Sequence, residues 1–333
     1  MNTATVPQQI LNTDLLIRFV EVWHIDEASQ QPVPMNAIAL NDDSSQPTPS
    51  QHVHSDDIQA ILRSACETKT VAMIDSTDDA LVSLSQHVGC EISLMLCFPI
   101  VQERQVRGAI VIGLSDVHGA IEVWGRDDRD ELAIINGHYS GLPSFEYITR
   151  YTRFPKGAGL PGGVWKSGVA KVANKLEKSS AFIRSFGCDP ASVSAAVALP
   201  FADMLGFPKS VVMFLQAAQQ PLSRHTMLLS GTTTQDSNQT DSADSNSDEI
   251  PAVFQIESVQ AVYDSRNPAT ADDQFQDQFQ DQDQQQSITK DIQSVIATNA
   301  PLLLKFDGPV GSHRLVWPVY GEHGVTSVLI MTF

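Results

Sequence analysis

The side chains best suited to covalent chemistry in this 333-residue chain are its four cysteines. A thiolate can act as a nucleophile, a redox centre or a metal ligand. They are Cys66, Cys90, Cys97 and Cys188. No two of them form a Cys-x-x-Cys pair, and they make no disulfide-rich framework. No secretory leader or long apolar run is visible. We therefore predict reduced thiols in a soluble, cytoplasmic protein.

A second group of reactive side chains lies close together in the sequence. His52 and His54 precede Asp56 and Asp57, and imidazole and carboxylate groups can both bind metals. This stretch is surrounded by Pro, Ser and Gln, without nearby groups that would orient the ligands. We predict a solvated loop, no metal site and no cofactor. No Ser-His-Asp arrangement, His-Glu-x-x-His motif or carboxylate pair stands out, so we predict no catalytic residue and no enzymatic activity.

Charge excludes two classes of partner. The formal net charge is -18, and Lys and Arg are not clustered. Nucleic acids and anionic membranes are bound through clustered positive charge, so neither is an expected partner.

The stretch Phe154 to Gly168 is the strongest candidate for a binding site. Its glycines indicate a loop that leads into a short helix, which Gly168 ends. No Lys-Ser or Lys-Thr pair follows at the spacing that a phosphate-binding loop needs. Ligand pockets are concave and mostly apolar. The predicted ligand-binding residues are Phe154, Leu160, Trp165, Phe182 and Cys188. In the alternative interpretation, Leu160 and Trp165 plug the pocket and hold the helix to a sheet.

Three segments of the chain have a similar pattern of apolar residues. Each is an apolar strand that carries one proline near its end, and a second apolar strand follows after a turn, as in a β-hairpin. The proline segments are Leu96–Ile100, Ala198–Phe201 and Val316–Val319, and the strands that follow are Ala109–Leu114, Ser210–Leu215 and Ser327–Met331. The triplet Glu21-Val22-Trp23 also recurs as Glu122-Val123-Trp124. We predict three divergent copies of one unit.

Composition sets the predicted boundaries. The first unit spans 10–115 and the second, with the glycine loop, spans 116–230. Residues 231–249 are polar and acidic and are predicted to be a disordered linker. A truncated third unit spans 250–333, with a disordered insert at 265–287.

The second unit resembles the GAF family of small-molecule sensor domains. The resemblance lies in the phrase Phe-x-x-Gly-x-Gly-Leu-Pro-Gly-x-Val-Trp-x-Ser-Gly, which begins at Phe154. It implies an α+β fold, with antiparallel central sheets flanked by short helices and repeated two to three times. It also implies a pocket between the sheet and the glycine-loop helix. The Asn-Lys-Phe-Asp-Glu signature of cyclic-nucleotide-binding members is absent.

A narrower resemblance concerns Cys188. The segment Gly187-Cys188-Asp189-Pro190-Ala191-Ser192 is similar to the nucleophile segment of GAF-fold free-methionine sulfoxide reductases. In that family a resolving cysteine lies in the glycine loop, where this chain has Pro161. A sulfenic acid at Cys188 would have no resolving thiol there.

The strands Ala109–Leu114 and Val211–Leu215 are apolar on both faces, as expected for strands buried on both sides. We predict that the backs of the sheets pack against one another, within the chain or across a homodimer. The leading hypothesis is a non-enzymatic sensory protein in signal transduction, with an unknown small ligand in the second unit. Its other partner would be a second copy or a signalling protein. The alternatives are a structural interaction module with filled pockets and a thiol redox enzyme that uses Cys188.

Overall fold

The structure is a computed structural model. It describes residues 15–26, 28–29, 31–40, 48–49, 56–75, 79–102, 105–116, 119–176, 182, 184, 193–202, 208–217, 220–235, 252–264, 282–305, 313–321 and 324–333.

Three antiparallel sheets follow one another along the described chain. The first sheet contains β1 (Ile17–Ile25), β2 (Pro32–Ala39), β3 (Thr48–Pro49), β4 (Ala72–Asp75), β5 (Leu94–Gln102) and β6 (Gln105–Leu114). The second contains β7 (Gly119–Arg126), β8 (Leu132–Ser140), β9 (Arg153–Phe154), β10 (Lys171–Asn174), β11 (Ala195–Ala202) and β12 (Pro208–Gln216). The third contains β13 (His225–Gln235), β14 (Ala252–Asp264), β15 (Leu302–Lys305), β16 (His313–Gly321) and β17 (Gly324–Thr332).

Helices accompany each sheet. They are α1 (Asp56–Thr68) and α2 (Asp79–Val88) in the first unit, α3 (Pro143–Tyr151) and α4 (Gly159–Ser167) in the second, and α5 (Gln282–Thr298) in the third. No helix among the described residues is long and apolar enough to cross a membrane.

The three sheets share one strand order. It is β3-β2-β1-β6-β5-β4 in the first, β9-β8-β7-β12-β11-β10 in the second and β14-β13-β17-β16-β15 in the third. The register of strand pairing agrees as well. In each sheet, the residue paired with the repeated proline is also paired with a residue at the same position of the next strand. The rows are Trp23, Ala109 and Pro99 in the first sheet, Trp124, Val211 and Pro200 in the second, and Leu229, Val328 and Pro318 in the third. Common descent of the units stays a prediction from the sequence.

Each repeated proline lies beyond the point where its strand stops pairing with the neighbouring strand on one side. β4 pairs with β5 only as far as Cys97, β10 with β11 as far as Ala198, and β15 with β16 as far as Val316. Each proline follows two residues later. A proline has no backbone N–H to donate, so it is tolerated on a strand that is an edge at that point.

The sheet backs pack together within the chain. One apolar cluster includes buried residues of all three sheets, among them Phe98, Phe214 and Trp317. The Trp317 ring lies 4.9 Å from the Phe98 ring and 6.3 Å from the Phe214 ring, measured between centroids. Separate clusters lie on the opposite faces of the first and second sheets, which α1 and α4 contact. The apolar backs are thus covered without a second copy.

Polar contacts also join the units. The Asn36 side chain donates a hydrogen bond to the Leu303 carbonyl at 3.0 Å, which connects the first sheet to the third. The Leu16 N–H donates to the Pro221 carbonyl at 2.9 Å. The chain just before the first sheet is therefore bonded to the connection between the second and third sheets.

Two predicted boundaries need correction. β13 runs to Gln235, so residues 231–235 are strand, and the third unit begins at His225 rather than at 250. The remaining linker, 236–249, joins β13 to β14 inside the third unit and lies outside the described residues. Polar composition hid this strand, although threonine favours strands. Similarly, α5 begins at Gln282, inside the insert predicted at 265–287.

Candidate functional site

The glycine-rich loop of the second unit has the predicted form. Gly157 and Gly159 have φ angles of 91° and 58°, a region that favours glycine. Helix α4 follows, and it ends at Gly168 in the left-handed conformation with φ 66°. The Gly168 N–H donates to the Val164 carbonyl at 2.8 Å, which satisfies the last turn.

Gly162 explains how closely this loop packs on its own helix. A Cβ atom at this position would lie 2.4 Å from the carbonyl oxygen of Pro155. No side chain fits that distance without movement of the backbone. The loop therefore folds back onto α4, which lies against β11 and β12 of the second sheet.

The predicted ligand-binding residues converge only in part. Phe154, Trp165 and Phe182 are buried in the cluster beneath the second sheet, and Leu160 packs against it half-buried. Lys156 Nζ lies 5.6 Å from the centre of the Trp165 ring. Cys188 lies outside the described residues, as do His52 and His54. Asp56 and Asp57 begin helix α1.

A buried carboxylate is the centre of this cluster. The side chain of Glu122 on β7 has no solvent exposure. Its Oε2 accepts a hydrogen bond from Trp124 Nε1 at 3.0 Å, and its Oε1 accepts one from Thr149 Oγ1 at 3.1 Å. Burying a carboxylate is costly unless it is paired and hydrogen-bonded.

The guanidinium of Arg184 supplies the opposite charge. Its Nη1 donates to Glu122 Oε1 in an ion pair in which both side chains are almost fully buried. Nη1 also donates to Thr149 Oγ1 at 2.8 Å. Four aromatic rings surround the guanidinium carbon, at 4.6 Å from Phe145, 5.2 Å from Trp124, 5.4 Å from Phe182 and 5.6 Å from Phe154. We call Glu122, Thr149 and these four rings the cation cage.

Several elements build the cation cage. β7 supplies Glu122 and Trp124, α3 supplies Phe145 and Thr149, and β9 supplies Phe154. Arg184 and Phe182 come instead from the connection between β10 and β11. Arg184 lies 62 positions from Glu122 along the chain.

Tyr139 on β8 borders the cage. Its ring lies 6.1 Å from that of Phe145. Burial, together with the nearby Glu122 carboxylate, raises the pKa of Tyr139 well above its usual value of 10. The phenol is therefore neutral at any physiological pH, and the cage contains one carboxylate facing one guanidinium.

The charged half of this site was not among the residues predicted from the sequence. A signal existed for Glu122, because it stands between apolar residues in a strand that is expected to be buried. The Glu-Val-Trp triplet that contains it also recurs in the first unit. Arg184 had no comparable signal, since its pairing with Glu122 spans more than half of the unit.

The other units differ at the positions equivalent to Glu122 and Trp124. The first unit keeps them as buried Glu21 and Trp23. The register of the third sheet places Met227 and Leu229 there. The third unit therefore has no acid in this row of its sheet.

A cleft lies where the three sheets meet. Pro99, Pro200 and Pro318 line it together with Trp317 and Tyr320. Its volume is about 30 Å³, which is room for one or two water molecules. Small-molecule sites are several hundred Å³ in size, at about 300–1,000 Å³. This cleft is therefore too small to hold a typical small-molecule ligand.

Comparison with known proteins gives weak similarities. No protein-family model and no curated protein sequence matches the chain. Among solved structures, the chain is similar to the GAF domain of A. aeolicus nlh2 in an inactive state, with 22% identity and a TM-score of 0.24. That match covers 30% of this chain and 58% of the nlh2 chain, so the chain spans less than two thirds of that structure.

Two further solved structures come from Staphylococcus aureus. One is the NreA protein mutated in its nitrate-binding site, with 18% identity and a TM-score of 0.26; the match covers 32% of this chain and 80% of NreA. The other is the hypothetical protein SA1058, with 22% identity and a TM-score of 0.24; the match covers 32% of this chain and 85% of SA1058. At these TM-scores the similarities carry no argument about ligand or activity.

Proposed function

We propose that the protein is a non-enzymatic sensory module of the GAF type, and that its second unit binds a small molecule in the cation cage. The observation that carries the proposal is the buried ion pair beneath the second sheet. A charged, hydrogen-bonded and aromatic-lined centre is more than a hydrophobic core requires, because apolar residues of similar volume stabilise a fold equally well or better.

The alternative is a structural module with a filled pocket. Arg184 favours it, since its guanidinium occupies the cage between Glu122 and the four rings. In that case the ion pair serves only to define the fold of the second unit. The two functions differ in whether a soluble molecule can enter the cage of the wild-type protein.

Native mass spectrometry of freshly purified wild-type protein tests the proposal, combined with thermal-shift measurements against a panel of cationic, neutral and anionic small molecules. We expect a co-purifying molecule, or stabilisation by at least one class of compound. A protein of bare chain mass that no class stabilises would leave the structural module as the function.

The redox alternative depends on Cys188 and has a separate test. The glycine-loop position of the family's resolving cysteine is Pro161, which is buried in α4. We expect no thiol oxidation dependent on methionine sulfoxide in the wild-type protein. Such activity, if it is lost in Cys188→Ser, would replace the sensory proposal with an enzymatic one.

The partners remain part of the proposal. Because the sheet backs are covered within the chain, self-association has lost the physical reason that the sequence offered for it. A sensory module of this kind would act through a signalling protein.

A further inference from the structure

We propose that the ligand of the cation cage is a small organic cation with a guanidinium or methylated ammonium group, and that it takes the place of the Arg184 side chain. This inference rests on the proposed function, because it names the chemical class bound at the same site.

The carboxylate of Glu122 decides the sign of the ligand's charge. It is fully buried and already accepts hydrogen bonds from Trp124 and Thr149. If Arg184 left and a neutral molecule entered, an uncompensated charge would remain in the interior, which is strongly unfavourable. An anion would be worse, since two like charges would face each other. A cation restores the balance while the carboxyl group stays ionised, whereas with any other occupant that group must take up a proton to become neutral.

The four rings decide the shape and hydration of that cation. They surround the guanidinium carbon at 4.6–5.6 Å, within the range of about 6 Å over which a ring attracts a cation. Such cages favour weakly hydrated organic cations, as with quaternary ammonium groups and methyl-lysine. A sodium ion or a small primary ammonium ion keeps its water more strongly and fits less well.

The origin of Arg184 makes replacement structurally feasible. Glu122, Thr149 and three of the four rings lie on β7, α3 and β9, elements that pair with or pack on the second sheet. Arg184 and the fourth ring, Phe182, belong to the connection between β10 and β11. Arg184 lies in neither of the two strands that this connection joins, so its withdrawal would leave the pairing of β10 with β11 in place.

The guanidinium of Arg184 also limits how tightly a ligand can bind, because it competes for the same site. A group on the same chain competes at an effective concentration in the millimolar range or above. The wild-type protein should therefore bind a minimal cation such as methylguanidinium weakly. Removal of the competitor should raise the affinity by about tenfold or more.

The experiment uses the full chain and methylguanidinium chloride as the probe, with calorimetric titration as the readout. Sodium chloride, urea and sodium acetate serve as salt, neutral and anionic controls. We expect weak binding to the wild type, binding at least about tenfold tighter to Arg184→Ala, and none to Glu122→Gln. Arg150→Gln is the matched control, because it removes an exposed arginine that pairs with Glu146 on the same unit; its affinity should equal that of the wild type.

A second measurement needs no substitution, in case Glu122→Gln does not fold. The measurement is an NMR titration of wild-type protein with ¹⁵N-labelled arginine. The chemical shifts of the Arg184 guanidinium N–H groups should change as methylguanidinium is added, because the side chain leaves its buried site. Arg150→Gln should show the same shift. Arg184 signals that stay unchanged while the probe binds would place the probe elsewhere and overturn the proposal.

The remaining outcomes separate this inference from the proposed function. Binding to Arg184→Ala but not to the wild type would show a permanently filled pocket and overturn both. Binding of urea or acetate to the wild-type cage, unchanged in Glu122→Gln, would overturn the cationic ligand and leave the sensory function standing. No binding of any probe to either protein would overturn the cationic ligand, whereas the sensory function would still be decided by native mass spectrometry and the thermal-shift panel.

Discussion

The carboxylate of Glu122 and the guanidinium of Arg184 lie against each other with almost no solvent exposure. Each charge is tolerable in the interior only because the other is present, and Trp124 and Thr149 each donate one further hydrogen bond to the carboxylate. The stability of the second unit therefore depends on both side chains together, more than on either one.

Single removal of either partner should be strongly destabilising. We expect Glu122→Gln and Arg184→Met each to lower the free energy of unfolding by about 3–5 kcal/mol, because one buried charge is left uncompensated. The double variant should lose far less than the sum. Urea unfolding of all four proteins gives the coupling energy.

The matched control is the exposed pair of Arg150 and Glu146 on α3. Replacing Arg150 with Gln should change the free energy of unfolding by less than about 1 kcal/mol. Strictly additive effects of the two buried substitutions would show that the charges do not depend on each other.

The described cysteines should react slowly with alkylating reagents in the folded protein. Burial raises the pKa of Cys66 to about 11, and it also raises the pKa of Cys90 and of Cys97. Little thiolate is then present at pH 8, and alkylation requires thiolate. In a Cys188→Ser background, iodoacetamide should label the folded protein slowly and the urea-unfolded protein rapidly. Equal rates in both states would contradict the burial of Cys90 and Cys97 and the partial burial of Cys66.

Helix α4 packs closely on the glycine-rich loop that precedes it. It contains two adjacent glycines in different surroundings. A Cβ atom at Gly162 would meet the Pro155 carbonyl at 2.4 Å, whereas at Gly163 the nearest neighbour is the mobile end of Lys171 at 3.3 Å. The sequence offers the same residue type twice, and only the packing distinguishes the two.

Gly162→Ala should therefore destabilise the protein by about 1–3 kcal/mol, since the backbone of the loop must move. Gly163→Ala is the control and should be neutral, or stabilising by up to about 1 kcal/mol, because alanine favours the helix more than glycine does. Thermal unfolding measures both. Equal destabilisation by the two substitutions would mean that the loss of glycine, and not the contact with Pro155, is responsible.

At the scale of the whole molecule, the three sheets meet around Trp317. Its ring lies 4.9 Å from Phe98 of the first sheet and 6.3 Å from Phe201 of the second. A residue that contacts all three units couples their stabilities. The described units should therefore unfold together instead of as independent domains.

Trp317→Ala should lower the free energy of unfolding by about 3–5 kcal/mol, the usual effect of truncating a buried aromatic residue. Hydrogen exchange should show lost protection in β5, β11 and β16 alike. Tyr151→Ala, at a side chain that is 72% exposed, is the control and should change stability by no more than about 0.5 kcal/mol. Lost protection in the third sheet alone would show that the units are independent.

Much of the local structure could be predicted from the sequence. The three proline hairpins, the glycine loop and the end of α4 at Gly168 all lie where the pattern placed them. These features depend on residues that are near one another in the chain. Composition alone misled the prediction at 231–235, where threonines in a strand have the polarity of a linker.

By itself, the sequence determined the hairpins and the apolar faces of their strands, because backbone geometry and alternation act over a few residues. Only the tertiary structure decided which charge meets Glu122. Many cations along the chain could satisfy a buried carboxylate, and the chain brings Arg184 to it across 62 positions. It also decided that the sheet backs cover one another within the chain, since an apolar face requires burial but does not specify its partner.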